Sequence, residues 1–219
     1  MRAAGICFTI SFPRRTIGPL LHARALVASG ALGEVTLVRI RIAHDGALRG
    51  WLPPHFYDAA TCGGGAMIDL GAHGMYLARW LLGRPRRVSS VFTDVTGRGV
   101  EDNAVSTIEF DSGAIAINET GFVSWGGAYS LEIDGTRGGL QMAGAREVRV
   151  RMGADRTWQA PAELPADEPL PIPRWLDAIR GQGPREFGMG IEEALELSEL
   201  MEAAYRAHRE RRAVDLEEL

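Results

Sequence analysis

From Val88 to Ala160 the chain is a series of short β-forming runs separated by turns. Val88–Val95, Asn103–Phe110, Ala114–Phe122 and Tyr129–Asp134 are rich in Val, Ile, Thr, Phe and Tyr; Gly139–Ala143, Glu147–Met152 and Thr157–Ala160 are shorter runs of the same kind. Asp111-Ser112-Gly113 and Asp134-Gly135 carry the residues of tight hairpins. A parallel neighbour needs a crossover of about a dozen residues or more, so closely spaced strands with short turns predict an antiparallel sheet. Ala114–Phe122 constrains the surroundings of that sheet. Ile115 and Ile117 alternate with Ala114, Ala116 and Phe122, so both faces are apolar or small and both need cover. The helical segments are too few to supply it, and a second subunit is expected on one face.

The flanking segments are less repetitive. Ile6–Phe12 alternates, reads as a strand and stops at Pro13. It has no preceding element to pair with, as in a chain met midway through a fold. Leu20–Ala28 reads as a helix stopped by Ser29-Gly30, and Glu34–Ala43 as the next strand. His44–Ala60 has no period but holds Trp51, His55, Phe56 and Tyr57, either as a functional loop or as a cap on the core. Pro161–Pro173, with five prolines, reads as a crossing linker, and Arg174–Arg180 as a short helix ended by Gly181. Ile191–Arg211 is a long amphipathic helix with Ile191, Ala194, Leu195, Ser198, Met201, Tyr205 and His208 as its stripe. Its early Glu192 and Glu193 and its late arginines complement the helix dipole.

A chain of 219 residues holds one large domain, or one domain and a fragment of another. A formal charge of -4 gives no reason to expect nucleic acid or an anionic membrane as partner. No apolar run approaches the ~20 residues of a membrane span. Cys7 and Cys62 are far apart in sequence and fit reduced thiols in a cytoplasm. All 24 basic residues are Arg. Without a single Lys, the chain alone cannot supply a Schiff base, a P-loop lysine or a lysine proton donor.

The stretch richest in chemical groups is Cys62–Gly83: a glycine run, a mostly apolar helix and a terminating glycine before Arg84-Pro85. At 3.6 residues per turn Asp69, His73, Tyr76 and Trp80 fall on one stripe. A carboxylate beside an imidazole can orient the ring and suits proton transfer, although the same pair can sit satisfied in a core. Gly71 and Gly74 each cost a helix about 1 kcal/mol relative to Ala, which points to something approaching the helix closely. Gly63-Gly64-Gly65 could bind an anion at a helix N-terminus; a tight turn into the helix is the preferred reading. No G-x-G-x-x-G fingerprint of a dinucleotide site occurs. His44, His55, Asp69 and His73 have no recognised ligand spacing beyond the one pair, and no metal is expected. Arg14-Arg15 could hold an anionic group or simply face solvent.

Gly63-Gly64-Gly65-Ala66-Met67-Ile68-Asp69-Leu70-Gly71-Ala72-His73, followed by Leu77-Ala78-Arg79-Trp80-Leu81-Leu82-Gly83, closely resembles the G-G-G-x-x-x-D-x-G-x-H helix of the Gfo/Idh/MocA oxidoreductases. Phe12-Pro13-Arg14-Arg15 through Gly33-Glu34-Val35, Glu101-Asp102-Asn103-Ala104, and Trp175–Arg180 with the final helix are similar to further family segments, in the right order. Members join an N-terminal Rossmann domain to a C-terminal domain that holds the substrate pocket and the oligomer interface. The resemblance covers the second part and implies an α+β fold: a large mostly antiparallel open β-sheet, helices packed on one face, the other face available for oligomerisation. It divides the chain into 1–15, a residual strand leaving a missing nucleotide-binding domain; 16–185, the substrate and sheet domain; and 186–219, the C-terminal helix and tail.

By the same resemblance His73 is the catalytic acid/base and Asp69 positions it and the substrate hydroxyl. Arg15, His44, His55, Tyr57 and Tyr76 are the implied substrate contacts, the substrate is a sugar, cyclitol or related polyol, and the cofactor is NAD or NADP, bound mainly outside this chain. Two departures stand out. The family's Lys from a Glu-Lys-Pro motif is absent, and Tyr76 occupies a position where many members carry Asp. The expectation is the substrate half of a polyol dehydrogenase, forming a homo-oligomer and inactive alone; the alternative is a non-catalytic sugar-binding or dimerisation module.

Overall fold

The computed structural model describes residues 4–154 and 156–219. Its organising element is an eight-stranded sheet in the order β7-β6-β5-β1-β4-β3-β2-β8. The strands are β1 (Val35–Ala43), β2 (Pro85–Thr93), β3 (Asn103–Phe110), β4 (Ile115–Gly121), β5 (Ala128–Gly135), β6 (Gly138–Ala143), β7 (Glu147–Met152) and β8 (Val214–Asp215). Each named pair is antiparallel except β1 with β4, where Leu37–Ala43 runs parallel to Ile115–Gly121. The turn at Asp111-Ser112-Gly113 joins β3 to β4 as expected, whereas Asp134-Gly135 is the end of β5 and the hairpin turns one step later, at Thr136-Arg137. Thr157–Ala160, expected as a strand, contributes a single bridge from Gln159 to Val150.

The helices are α1 (Gly18–Ala28), α2 (Gly46–Arg49), α3 (Ala59–Cys62), α4 (Ala72–Leu82), α5 (Pro171–Ile179) and α6 (Ile191–Glu210). One face is covered by helices, chiefly α4 and α6 against the sheet with α1 packed on α4. The even positions of β1, Val38, Ile40 and Ile42, point inward and join Leu20 of α1, Met75 and Leu77 of α4 and Leu200 of α6 in one core. The buried side of α6 is Leu200, Met201, Ala203, Ala204 and Ala207, whereas Leu195 is 56% exposed. The expected stripe was therefore too wide at its first turns.

The opposite sheet face carries no helix among the described residues. It presents Val91, Val105 and Ile115, which are 68%, 41% and 40% exposed. Beside them Arg39 and Arg41 of β1 both pair with Glu119 of β4. The open face is thus apolar toward β2, β3 and β4 and charged at its centre.

Ile6–Phe12 forms no strand. Alternation makes a strand only where a neighbouring strand offers its backbone, and this segment binds a loop instead. Ile10 N–H donates to the Met189 carbonyl, the Trp175 indole donates to the Cys7 carbonyl, and Phe12 is buried under the helices. Residues 1–3 of the expected N-terminal segment lie outside the described residues. His44–Ala60 is a folded cap: α2, a 3₁₀ turn at Pro54–Tyr57 and α3 pack Ala47, Leu52, Phe56 and Tyr57 around Phe122.

Gly74 marks the closest approach of helix to sheet. A Cβ there would collide with the side-chain amide of Asn118, which is fully buried on β4. Gly74→Ala should cost about 1–3 kcal/mol by overpacking, read as a lowered midpoint in urea; a midpoint equal to wild type would show that Asn118 gives way freely.

Candidate active site

The helix expected from the glycine run to Gly83 is built in two pieces. α3 ends at Gly63, whose φ of +81° suits glycine. Gly64 and Gly65 are then pressed so close to the Tyr205 hydroxyl and the Glu101 carbonyl that neither tolerates a Cβ. One carboxylate oxygen, Glu101 Oε1, accepts from Gly65 N–H at 2.8 Å, Met67 N–H at 3.0 Å and the Tyr205 hydroxyl at 2.7 Å. The chain's own carboxylate thus serves the N–H groups that could have bound an external anion, and the turn reading of the glycine run holds.

Met67–Gly71 is a π-turn, and Ala72 N–H reaches back five residues to the Met67 carbonyl. The wider turn moves Asp69 out of phase with α4. Asp69 and His73, four apart in sequence, share no hydrogen bond, and each has its own neighbour. Asn118 Nδ2 donates to the Gly71 carbonyl at 2.9 Å and ties the end of the π-turn to β4.

His73 Nδ1 lies 3.0 Å from the Tyr76 hydroxyl. Tyr76 Oη also accepts the backbone N–H of Arg14 at 3.3 Å, and its ring stacks on Phe12 with centroids 4.2 Å apart. Arg14 N–H donates to Tyr76 Oη and leaves the phenolic proton available to Nδ1; with that proton on the hydrogen bond the neutral imidazole carries its own proton on Nε2, whereas the other tautomer donates Nδ1–H to the same oxygen. Burial first, and the Arg14 guanidinium second, push the His73 pKa down to about 4. At neutral pH the ring is uncharged.

Asp69 is drawn upward in pKa by burial, with the His44 ring working against that shift. His44 Nδ1 accepts Gly46 N–H at 3.1 Å, and the ring stacks on Phe122 at 4.9 Å and leans on Trp51 at 4.6 Å. Burial lowers the His44 pKa, opposed by Asp69 and then Asp45. Asp69 and His44 are therefore neighbours, and His44 is the loop histidine that reaches the site.

Of the remaining expected contacts, Arg15 shares a cavity with Tyr76, while His55 and Tyr57 belong to the cap. His55 is exposed and rests on Phe56, with ring centroids 4.7 Å apart. Tyr57 lies under the Arg98 guanidinium at 4.2 Å, within the cap that covers Phe122. Arg15 donates to the Gly188 carbonyl at 2.8 Å and lies over Trp80 at 5.1 Å. It lines a 210 Å³ cavity with Arg24, Arg79 and Glu193. Arg14, one residue earlier, sits over the Tyr129 ring at 4.2 Å and is the arginine whose charge acts on His73. Arg14, Tyr129 and Glu101 were not singled out as site residues in the sequence. The doublet Arg14-Arg15 was a signal for the first, but local sequence does not say which of two adjacent arginines turns inward.

Among the described residues no three His, Cys, Asp or Glu side chains converge as metal ligands would. A dinucleotide site of the Rossmann kind needs a strand, a glycine-rich turn and a helix in succession. The run Gly63–Gly65 follows α3 and not a strand, so these residues do not fit that role.

Residues 20–141 match the family described as the GFO/IDH/MocA C-terminal domain. The chain is 33% identical over 122 residues to D-xylose 1-dehydrogenase (NADP(+)) 2 of Haloferax volcanii, a match covering 54% of this chain and 35% of that protein. It thus spans about a third of the length of that curated relative. An NAD binding oxidoreductase from Klebsiella pneumoniae superposes with a TM-score of 0.83 at 23% identity, over 98% of this chain and 68% of that one. An aldose-aldose oxidoreductase from Caulobacter crescentus, complexed with glycerol, superposes with a TM-score of 0.80 at 26% identity, over 98% and 65% of the two chains. With more than half its residues matched and the whole described fold shared, the chain belongs to the GFO/IDH/MocA oxidoreductases and carries their C-terminal domain.

Proposed function

We propose that this chain is the substrate-binding and proton-transfer half of an NAD(P)-dependent oxidoreductase acting on a sugar, cyclitol or related polyol. The observation that carries the reading is His73: a neutral imidazole held through Nδ1, with Nε2 left for a substrate oxygen and the Asp69 carboxylate four residues before it. The names of its relatives support the same class, since one is a D-xylose dehydrogenase and another an aldose-aldose oxidoreductase with glycerol bound. A nicotinamide cofactor, when bound, supplies hydride chemistry. The residues here handle hydroxyls and protons.

Asp69 accepts a hydrogen bond from a substrate hydroxyl and fixes its orientation. His73 presents Nε2–H as a hydrogen-bond donor that polarises a carbonyl at the reacting carbon; to transfer the proton the ring must first be the imidazolium, with Nδ1 protonated as well. In the alcohol-oxidising direction Nε2 must arrive without its proton. Nδ1 then carries the proton and donates it to Tyr76 Oη, whose own proton points elsewhere, so Tyr76 is compatible with either tautomer and its proton position goes with the direction of reaction.

Joined in frame to the nucleotide-binding domain of a family member, the chain should reduce nicotinamide with at least one of a panel of polyols. His73→Ala should then lower kcat by about 10²–10⁴, the range of a lost general acid or base. Activity that survives unchanged in His73→Ala would remove the histidine from the chemistry; a fusion that binds polyols without turnover would favour a sugar-binding module.

The tautomer can be read on the chain alone. With the Tyr76 hydroxyl donating to Nδ1, ring nitrogen shifts of His73 should show a protonated Nε2 and a bare Nδ1 at pH 7, with a titration midpoint near 4 instead of the ordinary imidazole value. In Tyr76→Phe the two tautomers should mix; retention of the pure Nε2–H form would show that the hydroxyl is not what holds it.

The open sheet face is the proposed subunit contact, its apolar half formed by Val91, Val105 and Ile115. Light scattering at micromolar concentration should report a dimer or larger, and Val105→Glu should shift it toward monomer. A monomeric wild type would contradict this contact.

A further inference from the structure

Two polar atoms near His73 are buried and have no partner: Arg14 Nε and Tyr129 Oη. They belong to one pair of side chains, since the guanidinium carbon of Arg14 lies 4.2 Å from the centre of the Tyr129 ring. Arg14 is held from both sides in the chain. It sits in the 3₁₀ turn Pro13–Thr16, and its backbone N–H is spent on Tyr76. The side chain is therefore aimed at Tyr129, whose hydroxyl it acts on, while its Nε donor has no partner.

Many arginines of this chain are neutralised by a carboxylate. Arg39, Arg79, Arg87, Arg146 and Arg212 each meet a carboxylate. Arg14 meets none among the described residues. A half-buried cation without a counter-charge is a cost to the fold. It also acts on its surroundings: after burial, its charge is the second cause of the lowered His73 pKa, and it opposes the upward shift that burial imposes on Tyr129. Asp69 does not relieve it, because the charged neighbour that acts on Asp69 is His44. The site thus holds one fixed positive charge and, beside it, a buried phenol whose only neighbour of opposite polarity among the described residues is that guanidinium, both on the side of His73 from which Arg14 acts.

We propose that Arg14 and Tyr129 form a subsite for a carboxylate on the substrate, so that the polyol handled here is a polyhydroxy acid of the aldonic or uronic class. The inference rests on the assignment of His73 as the proton-transfer residue and narrows the substrate of that same site. A guanidinium offers two parallel donors that match the two oxygens of a carboxylate, and the Tyr129 hydroxyl adds a third. A single arginine is sparse for a phosphate dianion, which favours the monoanionic group. Binding has a second consequence. The carboxylate offsets the Arg14 charge that disfavours protonated His73, so the imidazole becomes more basic when an acidic substrate is in place.

Calorimetry on the chain with D-gluconate, D-sorbitol and D-glucose 6-phosphate tests the subsite. D-gluconate should bind about tenfold more tightly than D-sorbitol, the size of one charge-assisted hydrogen bond. Arg14→Gln should erase that difference while leaving D-sorbitol binding in place. Tyr129→Phe, which keeps the ring under the guanidinium, should lose part of it. Equal binding of acid and neutral polyol, or no gluconate heat at millimolar ligand, overturns the carboxylate subsite. Preference for the phosphate ester over gluconate overturns the assignment of the group. Both results leave the His73→Ala experiment free to succeed or fail by itself, so a neutral-polyol enzyme remains distinguishable from a chain with no proton-transfer role.

Discussion

Glu101 Oε1 is the atom on which the site depends. It lies just before β3, on the loop that leaves β2, and it gathers donors from three parts of the chain: Gly65 and Met67 at the start of the π-turn, and Tyr205 on α6. Backbone N–H groups at the start of a helix lack intrahelical partners, and a buried donor left bare costs about as much as a lost hydrogen bond. Glu101 satisfies two of them with one oxygen and anchors the same oxygen to the C-terminal helix. Burial and the Glu101 carboxylate both drive the Tyr205 pKa upward, so the phenol remains a donor throughout the physiological range. The glycines follow from this geometry: with any side chain at Gly64 or Gly65, neither the Tyr205 hydroxyl nor the Glu101 backbone could come as close.

The π-turn that starts there separates two groups that a regular helix would have paired. In an ordinary α-helix Asp69 and His73 would lie one above the other, and the carboxylate would raise the imidazole pKa and hold its ring. Here the ring is held from the other side by Tyr76, itself clamped by Phe12 and Arg14 N–H. Asp69 is left half-buried beside His44, free of any bond to His73. The site therefore has two independent polar arms on one helix. One is acidic and backed by the aromatic cap over Phe122; the other is imidazole and backed by the Arg14 turn.

The strands were legible because alternation with hairpin turns has few other solutions, and the antiparallel sheet came out with most of its edges in place. Ile6–Phe12 misled for the same reason: the pattern records a wish to bury every second residue, and a loop at Met189 satisfied it without a ladder. The parallel pairing of β1 with β4 was invisible, because it joins strands more than 70 residues apart in sequence. His73 and Asp69 were legible as chemical groups but not as a geometry. A π-turn shifts phase by one residue, and nothing in Met67-Ile68-Asp69-Leu70-Gly71 announces it. Of the doublet Arg14-Arg15, the sequence did not say which side chain turns toward His73, since direction in a four-residue 3₁₀ turn is set by Tyr76 and Gly188, both distant in sequence.

The absence of lysine gives the last constraint. Every basic side chain other than histidine is an arginine, and a guanidinium stays protonated in proteins. Arginine can fix charge, orient an anion or depress a neighbour's pKa, but it cannot pass a proton. Proton traffic within this chain falls to the histidines, carboxylates and tyrosines. Near the π-turn these are His73, His44, Asp69 and Tyr76, and three of the four are tied in ways that limit exchange: Tyr76 is buried and raised in pKa, His44 is stacked under the cap, and Asp69 is stranded away from the imidazole. Among the described residues His73 Nε2 is the atom of this group left without a hydrogen-bond partner, on a ring that burial and Arg14 hold neutral. The arginine beside it acts on when that nitrogen can take a proton.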